Sequence, residues 1–455
     1  MGARRRAALG GALLALLALA FAAGRWTDGD HDRRTREPAR DQLARPAPAA
    51  VRPPTLAVGL DSNDPAALTP PGVADAAPPA FEAARATVAA IAPTFVRVEV
   101  RWDLLQPDAA APLDPARPTA DGCARERREP CAAPTTLDAT LRAVAAAQRA
   151  RPGRFRLLLT FWGMPAWAGD PRTDPCGGGP VRDGARPLAA AREGDYRAAI
   201  RAVAAAAGRA GARIDGWTPW NEPNAPYFLG PQRATCAADA APSSPAVYAR
   251  MTRAMAAELA ALRRSGAPPA RLVLGELASW AAPSGRAVPA DEFLRALPDD
   301  VLCRADMLSL HGYLEARPRT GRGEPVAAGL RELDRRRCLD GRPAWITETG
   351  VGAPHGGGRR DVRPRVLASE CRLLHGQLER WYRDPRVTAA FQYSLREDRY
   401  FPVGLLDEGL RRTYPAAAVW EAWGGSRAPA APPPPLPAAC AAPAPAASAA
   451  PQPEG

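Results

Sequence analysis

The sequence predicts a single (β/α)8 barrel of the α/β class. Three features of the chain point to it. Eight short apolar runs alternate with eight helical patterns, which reads as a parallel sheet with helical crossovers. The alternation fills one block of about 370 residues without an internal linker, and eight repeats in one block favour a closed barrel over an open sheet. The long irregular insertions, residues 107–136, 169–193 and 224–245, each follow a strand and precede a helix. In such barrels these loops lie on the C-terminal face, where active sites sit.

In chain order, Thr55–Leu60 is the first strand, and it runs into Asp61-Ser62-Asn63. Phe81–Ile91 is helical and Pro93 stops it. Phe95–Trp102 is the second strand, with Arg97, Glu99 and Arg101 on one face and Val96, Val98 and Val100 on the other. Helix Leu137–Arg149 and strand Phe155–Phe161 follow, then helix Asp195–Ala212 and strand Ile214–Trp220, which ends at Asn221-Glu222. Helix Pro245–Ser265 carries Val247, Met251, Met255 and Leu259 at helical spacing. Strand Arg271–Leu277, helix Asp291–Leu297 and strand Asp306–Leu310 lead to His311-Gly312-Tyr313. Helix Pro325–Arg337 precedes strand Pro343–Thr347, which ends at Glu348. Helix Val366–Tyr382, strand Val387–Tyr393 and helix Tyr414–Trp423 close the pattern.

The flanks differ in composition. Residues 1–23 read as an export signal or signal anchor: Arg4, Arg5 and Arg6 precede an apolar run from Ala7 to Ala23. Residues 24–53 are rich in Arg, Asp and Pro and read as a disordered linker. The catalytic domain is assigned to 54–426. Residues 427–455 are Ala and Pro with little else and read as a disordered tail. The protein is therefore expected to be secreted or held at the cell surface, with its termini as possible membrane or cell-wall tethers, and monomeric. Eight cysteines fit an oxidising compartment. Cys123 can pair locally with Cys131, and Cys176 with Cys236 would tie neighbouring top loops. Cys303 and Cys338 are neighbours at the opposite end, which leaves Cys371 and Cys440.

The formal net charge of +12 comes from arginine alone, because the chain has no lysine. Asn, at three positions, and Ile, at four, are also scarce. That is a compositional bias toward Ala, Arg, Gly and Pro, and it weakens the reading of a nucleic-acid binder. No CxxC spacing or histidine cluster marks a metal site, and no cofactor is expected.

Against this scarcity, two of the three asparagines flank Glu222, in Trp217-Thr218-Pro219-Trp220-Asn221-Glu222-Pro223-Asn224. Glu348 has a similar setting, after a short apolar run and before turn formers. Placed at the ends of strands four and seven, the two carboxylates face each other across the barrel mouth. One can protonate a glycosidic oxygen while the other attacks the anomeric carbon, if they are about 5–5.5 Å apart. The alternative for each is a turn or helix cap.

Asn-Glu-Pro after strand four with a Glu after strand seven resembles the clan of retaining (β/α)8 glycoside hydrolases, nearest in look to family 39-type and cellulase-like members. The resemblance covers residues 55–424. It implies that Glu222 is the acid/base, Asn221 holds a sugar 2-hydroxyl, and Glu348 is the nucleophile. It further implies that Arg97 lies beneath Glu348 and that His311 and Tyr313 line the site. Gly404-Leu405-Leu406-Asp407 through Tyr414-Pro415 resembles the close of these domains. Trp162 and Trp220 are expected in the cleft, where sugar C–H faces pack on flat rings. Gln392 and Arg396 after strand eight are expected to reach substrate, Arg396 as the candidate for an acidic sugar. The chain departs from the pattern at Phe391-Gln392-Tyr393, where many relatives carry Trp, and Glu276 is an extra acidic residue whose neighbours favour a structural role. The expected partner is a poly- or oligosaccharide. The rival reading is a carbohydrate-binding barrel without turnover.

Overall fold

The computed structural model describes residues 53–70, 78–119, 130, 135–280, 283–313, 315, 324–352, 359–397 and 401–441. Eight parallel strands close into a barrel in sequence order. They are β1 (Ala57–Asp61), β2 (Phe95–Arg101), β3 (Arg156–Trp162), β4 (Ile214–Thr218), β5 (Arg271–Leu277), β6 (Met307–His311), β7 (Ala344–Thr349) and β8 (Val387–Gln392). The principal helix after each strand is, in turn, α1 (Glu82–Ile91), α2 (Leu137–Ala150), α3 (Glu193–Ala210), α4 (Ser244–Arg264), α5 (Ala290–Ala296), α6 (Pro325–Asp334), α7 (Pro364–Arg383) and α8 (Ala416–Trp423). Every element expected from the sequence is present, with ends displaced by a few residues.

Local chemistry explains the boundaries. Thr136 caps α2 by accepting from Ala139 N at 3.0 Å. Glu193 and Asp195 sit in the first turn of α3, where the helix dipole favours negative charge, and Gly211 ends it at φ 73°. Pro245 opens α4, and Arg263 and Arg264 fill its last turn.

The two faces of β2 divide as its alternation predicts. Val96, Val98 and Val100 pack outward in the main apolar core. Inward, at the N-terminal end of the strands, a second cluster fills the barrel floor, with Phe95, Trp345 and Phe391 at its centre. Phe95 lies 4.5 Å from Trp345 and 5.8 Å from Phe391, centroid to centroid. Gly59 on β1 makes room for this plug, since a Cβ there would lie 2.2 Å from the Phe391 ring.

Cys176–Cys236 joins the loops after β3 and β4, and Cys303–Cys338 joins the segments before β6 and β7, both as expected. The Cys123–Cys131 pair lies outside the described residues, as do the export segment and most of the linker. The C-terminal boundary differs from expectation. Residues 427–441, expected as the start of a disordered tail, pack against the barrel. Leu56 N donates to Pro429 O at 2.9 Å, His375 Nε2 meets Pro434 O at 2.9 Å, and Cys440 is disulfide-bonded to Cys371 in α7. Composition alone reads this stretch as unstructured because a proline-rich strap shows no periodicity; its partners are on distant elements. Among the described residues no helix is long and apolar enough to cross a membrane.

The Cys371–Cys440 bridge closes a sequence separation of 69 residues. Replacing both with Ala is expected to lower unfolding free energy by about 2–4 kcal/mol, read by urea denaturation.

Candidate active site

The site is built around Arg97, which β2 aims into the barrel and which is fully buried. Its Nε and Nη2 donate to Glu276 Oε2 at 2.9 and 2.6 Å. Nη2 also reaches Asn221 Oδ1 at 2.7 Å and Glu348 Oε1 at 3.0 Å. Nη1 donates to Asp61 and lies 3.4 Å from Glu99 Oε1. One permanent cation thus serves four carboxylates and one amide, from the ends of β1, β2, β4, β5 and β7.

Irregular backbone aims several of these groups. The β5–β6, β6–β7 and β7–β8 registers all shift near the C-terminal end. Gly275 has φ 123°, and a Cβ there would lie 2.3 Å from Ser309 O. Glu276 follows at φ 53° and Glu222 sits at φ 40°, a left-handed conformation rare for residues with side chains. Glu222 N donates to Glu276 O at 3.0 Å, so the bulge in β5 holds the backbone at the end of β4.

His311 lies beneath the two expected catalytic carboxylates. Its Nδ1 is 2.8 Å from Glu222 Oε1 and 3.3 Å from Glu348 Oε2, and its Nε2 is 3.3 Å from Glu276 Oε2. An oxygen of Glu222, a nitrogen of His311 and an oxygen of Glu348 all lie within 4.8 Å of one another. The Tyr313 hydroxyl donates to Glu348 Oε2 at 2.7 Å. That triad is also close enough to surround a cation, as are Asp61, Glu99 and Glu348. In the second set Arg97 already supplies the positive charge.

Burial and charge compete at each group. Burial works against charge on Glu276, but Arg97 and His311 prevail and hold its carboxyl down at about 2. Burial also opposes charge on His311, but Glu348, Glu222 and Glu276 raise it to about 10. For Glu348 the balance reverses: burial, helped by the charges of Glu222 and Glu276, lifts it to about 7 against the pull of His311 and Arg97. Burial likewise pushes Asp61 well above the usual carboxylate range despite Arg97. Burial and then Glu348 raise Tyr313, so its hydroxyl stays a donor.

The structure thus gathers Glu222, Glu348, Asn221, Arg97, His311 and Tyr313 in one place. Trp162 stands at the edge, donating from Nε1 to Glu99 Oε2 at 3.0 Å, with the Arg101 guanidinium 3.9 Å from its ring centroid. Three expected cleft residues are otherwise engaged. Trp220 is fully buried and donates to Phe228 O at 2.7 Å, because β4 ends at Thr218 and the chain turns the indole into the core. Gln392 is buried, accepts from Trp420 Nε1 at 2.6 Å and donates to Val403 O at 2.8 Å. Arg396 donates to the Glu408 and Pro130 carbonyls at 2.6 and 2.8 Å, which ties loops together. Asn224 is structural too, bonded to Ala278 N and O and to Val288 O. The sequence reading missed Asp61; its position at a strand end, like that of Glu222, was the available signal.

No protein-family model matches the chain, and no curated protein matches it. Among solved structures it resembles SrfJ from Salmonella typhimurium, with 11% identity over 82% of this chain and 74% of that one, at a TM-score of 0.50. It also resembles the catalytic domain of the GH30 xylanase C from Talaromyces cellulolyticus, with 11% identity over 83% and 77% of the two chains, at a TM-score of 0.50. At this identity the likeness is one of fold.

Arg97→Leu would leave buried carboxylates without their cation. It is expected to destabilise the protein by about 3–5 kcal/mol in chemical denaturation.

Proposed function

We propose that the chain is a glycoside hydrolase that cleaves O-glycosidic bonds of a poly- or oligosaccharide by double displacement, with retention of configuration. Glu348 is the nucleophile and Glu222 the acid/base. One observation carries this reading: oxygens of both carboxylates lie against the same His311 nitrogen, within 4.8 Å of each other. Such proximity suits direct attack by one carboxylate, whereas an inverting pair stands about 6.5–9.5 Å apart to admit a water. The barrel shared with xylanase C agrees with this at the level of fold.

In the first step Glu348 attacks the anomeric carbon as the C–O bond to the leaving group breaks, and the Glu222 proton passes to the departing oxygen. In the second, water gives a proton to Glu222 while its oxygen displaces Glu348 from the sugar. Arg97 and the Tyr313 hydroxyl each hold one oxygen of Glu348, which fixes its direction of attack. With its Oδ1 on Arg97, Asn221 keeps Nδ2 as a donor for the sugar 2-hydroxyl. His311 supports both carboxylates from below. The three cystine bridges among the described residues suit an oxidising compartment, so we place the protein outside the cytoplasm.

On an aryl-glycoside panel, Glu222→Gln is expected to lose about 10²–10⁴-fold in turnover and Glu348→Gln at least as much. Azide should restore product release to Ala variants at these positions. Wild-type protein that binds glycans and turns none over would overturn the proposal in favour of a binding barrel.

Nucleophilic attack needs Glu348 ionised, and its carboxyl is lifted to about 7. The profile of kcat/KM should therefore fall on the acid side, with its limb near pH 7. A flat profile down to pH 5 would show that Glu348 does not carry this burden.

A further inference from the structure

A groove enclosing about 460 Å³ runs over the top-face loops that follow β3, β4 and β5. Asp174, Arg182, Tyr227, Trp280 and Arg286 supply its chemistry. The groove is rigidly built. Cys176–Cys236 joins two of the loops. The buried Arg233 binds Glu292 through both Nη1 and Nη2 at 2.7 Å and donates to Ser284 O at 2.8 Å, tying the loop after β4 to the one after β5. Gly285 packs so closely on the disulfide that a Cβ would lie 2.4 Å from Cys236 O.

Three features of this groove stand out among the described residues. Tyr227 is 62% exposed, whereas the other aromatic side chains among the described residues are buried or half-buried. The Trp280 indole N–H is closed off from solvent and has no acceptor among the described residues. Arg182 and Arg286 are both exposed; Arg182 Nη2 donates to Tyr227 O, and among the described residues neither guanidinium pairs with a carboxylate. A flat exposed ring and two exposed guanidiniums without a carboxylate call for a ligand with C–H faces and negative charge.

The groove is also joined to the reacting centre. Trp162, bonded to Glu99, meets Phe228 edge to face at 5.5 Å, and Tyr227 is the next residue. Ser279, beside Trp280, donates to His311 O.

We propose that this groove is a second carbohydrate site, taking a segment of an anionic polysaccharide that extends away from the cleavage point, with a sugar face on Tyr227 and its carboxylate or sulfate groups on Arg182 and Arg286. The kind of ligand rests on the hydrolase reading; the binding itself does not require turnover.

The test is retention of the full chain in affinity electrophoresis at 0.15 M salt. The probes are polygalacturonate, which carries carboxylates, dextran sulfate, and neutral dextran. At least one anionic probe should bind tenfold or more tightly than dextran, and whichever binds better identifies the anion. Arg182→Ala with Arg286→Ala should weaken that binding at least tenfold, and Tyr227→Ala about threefold. These side chains are exposed, and matched melting curves check that folding is intact. A charge-matched control, Arg263→Ala with Arg264→Ala at the end of α4, should change it less than twofold. Equal loss in the control, equal binding of dextran, or no retention by either polyanion overturns the site. Aryl-glycoside turnover measured in parallel separates the two readings. Turnover without groove binding removes this inference alone, and groove binding without turnover removes the hydrolase reading alone.

Discussion

The guanidinium of Arg97 is what allows so many acids to share one barrel mouth. Four carboxylates and the Asn221 amide converge on it, and its charge offsets the cost of burying those acids together. Its charge is permanent, so the arrangement does not depend on pH in the way a histidine-centred one would. The competition it sets up decides which acids stay ionised. Glu276, held by both Arg97 and His311, is pinned in the charged form. Glu348 shares those cations with its neighbours and is left near neutrality, where a small change in surroundings moves its proton. A ligand entering between Glu222 and Glu348 enters a site already poised between two protonation states.

That electrostatic centre rests on an apolar one. The ring plug of Phe95, Trp345 and Phe391 fills the barrel floor. Above it, the bulge at Gly275-Glu276 turns an acid inward and holds the Glu222 backbone by one hydrogen bond. The local cost of two left-handed glutamates is borne by the closed, fully packed ladder around them. The bridged top loops continue the same rigidity outward, so the groove beside the mouth is shaped before any ligand arrives.

Much of this was legible in the sequence, and the reasons are physical. Parallel strands buried on both faces leave apolar runs of fixed length, and crossover helices leave a 3.6-residue pattern between them. Their alternation determined the fold. Two acids at strand ends, one set between rare asparagines, determined where to look. The valine alternation of β2 put Arg97, Glu99 and Arg101 on one face, and the resemblance to retaining barrels singled out Arg97 among them.

Other features were decided only by the tertiary structure. Trp220, Gln392 and Arg396 all lie at or just past strand ends and all look like cleft residues in one dimension. Whether such a side chain faces ligand or core depends on the turn made two or three residues after the strand ends, and no periodicity records that. The same holds for Asp61 and Glu276, whose roles exist only through groups from other strands. It holds too for residues 427–441, whose order comes from partners far away in sequence. Pattern reports what a residue does within its own element. What it meets across the barrel is set by closure, and closure alone brought Glu222, His311 and Glu348 together.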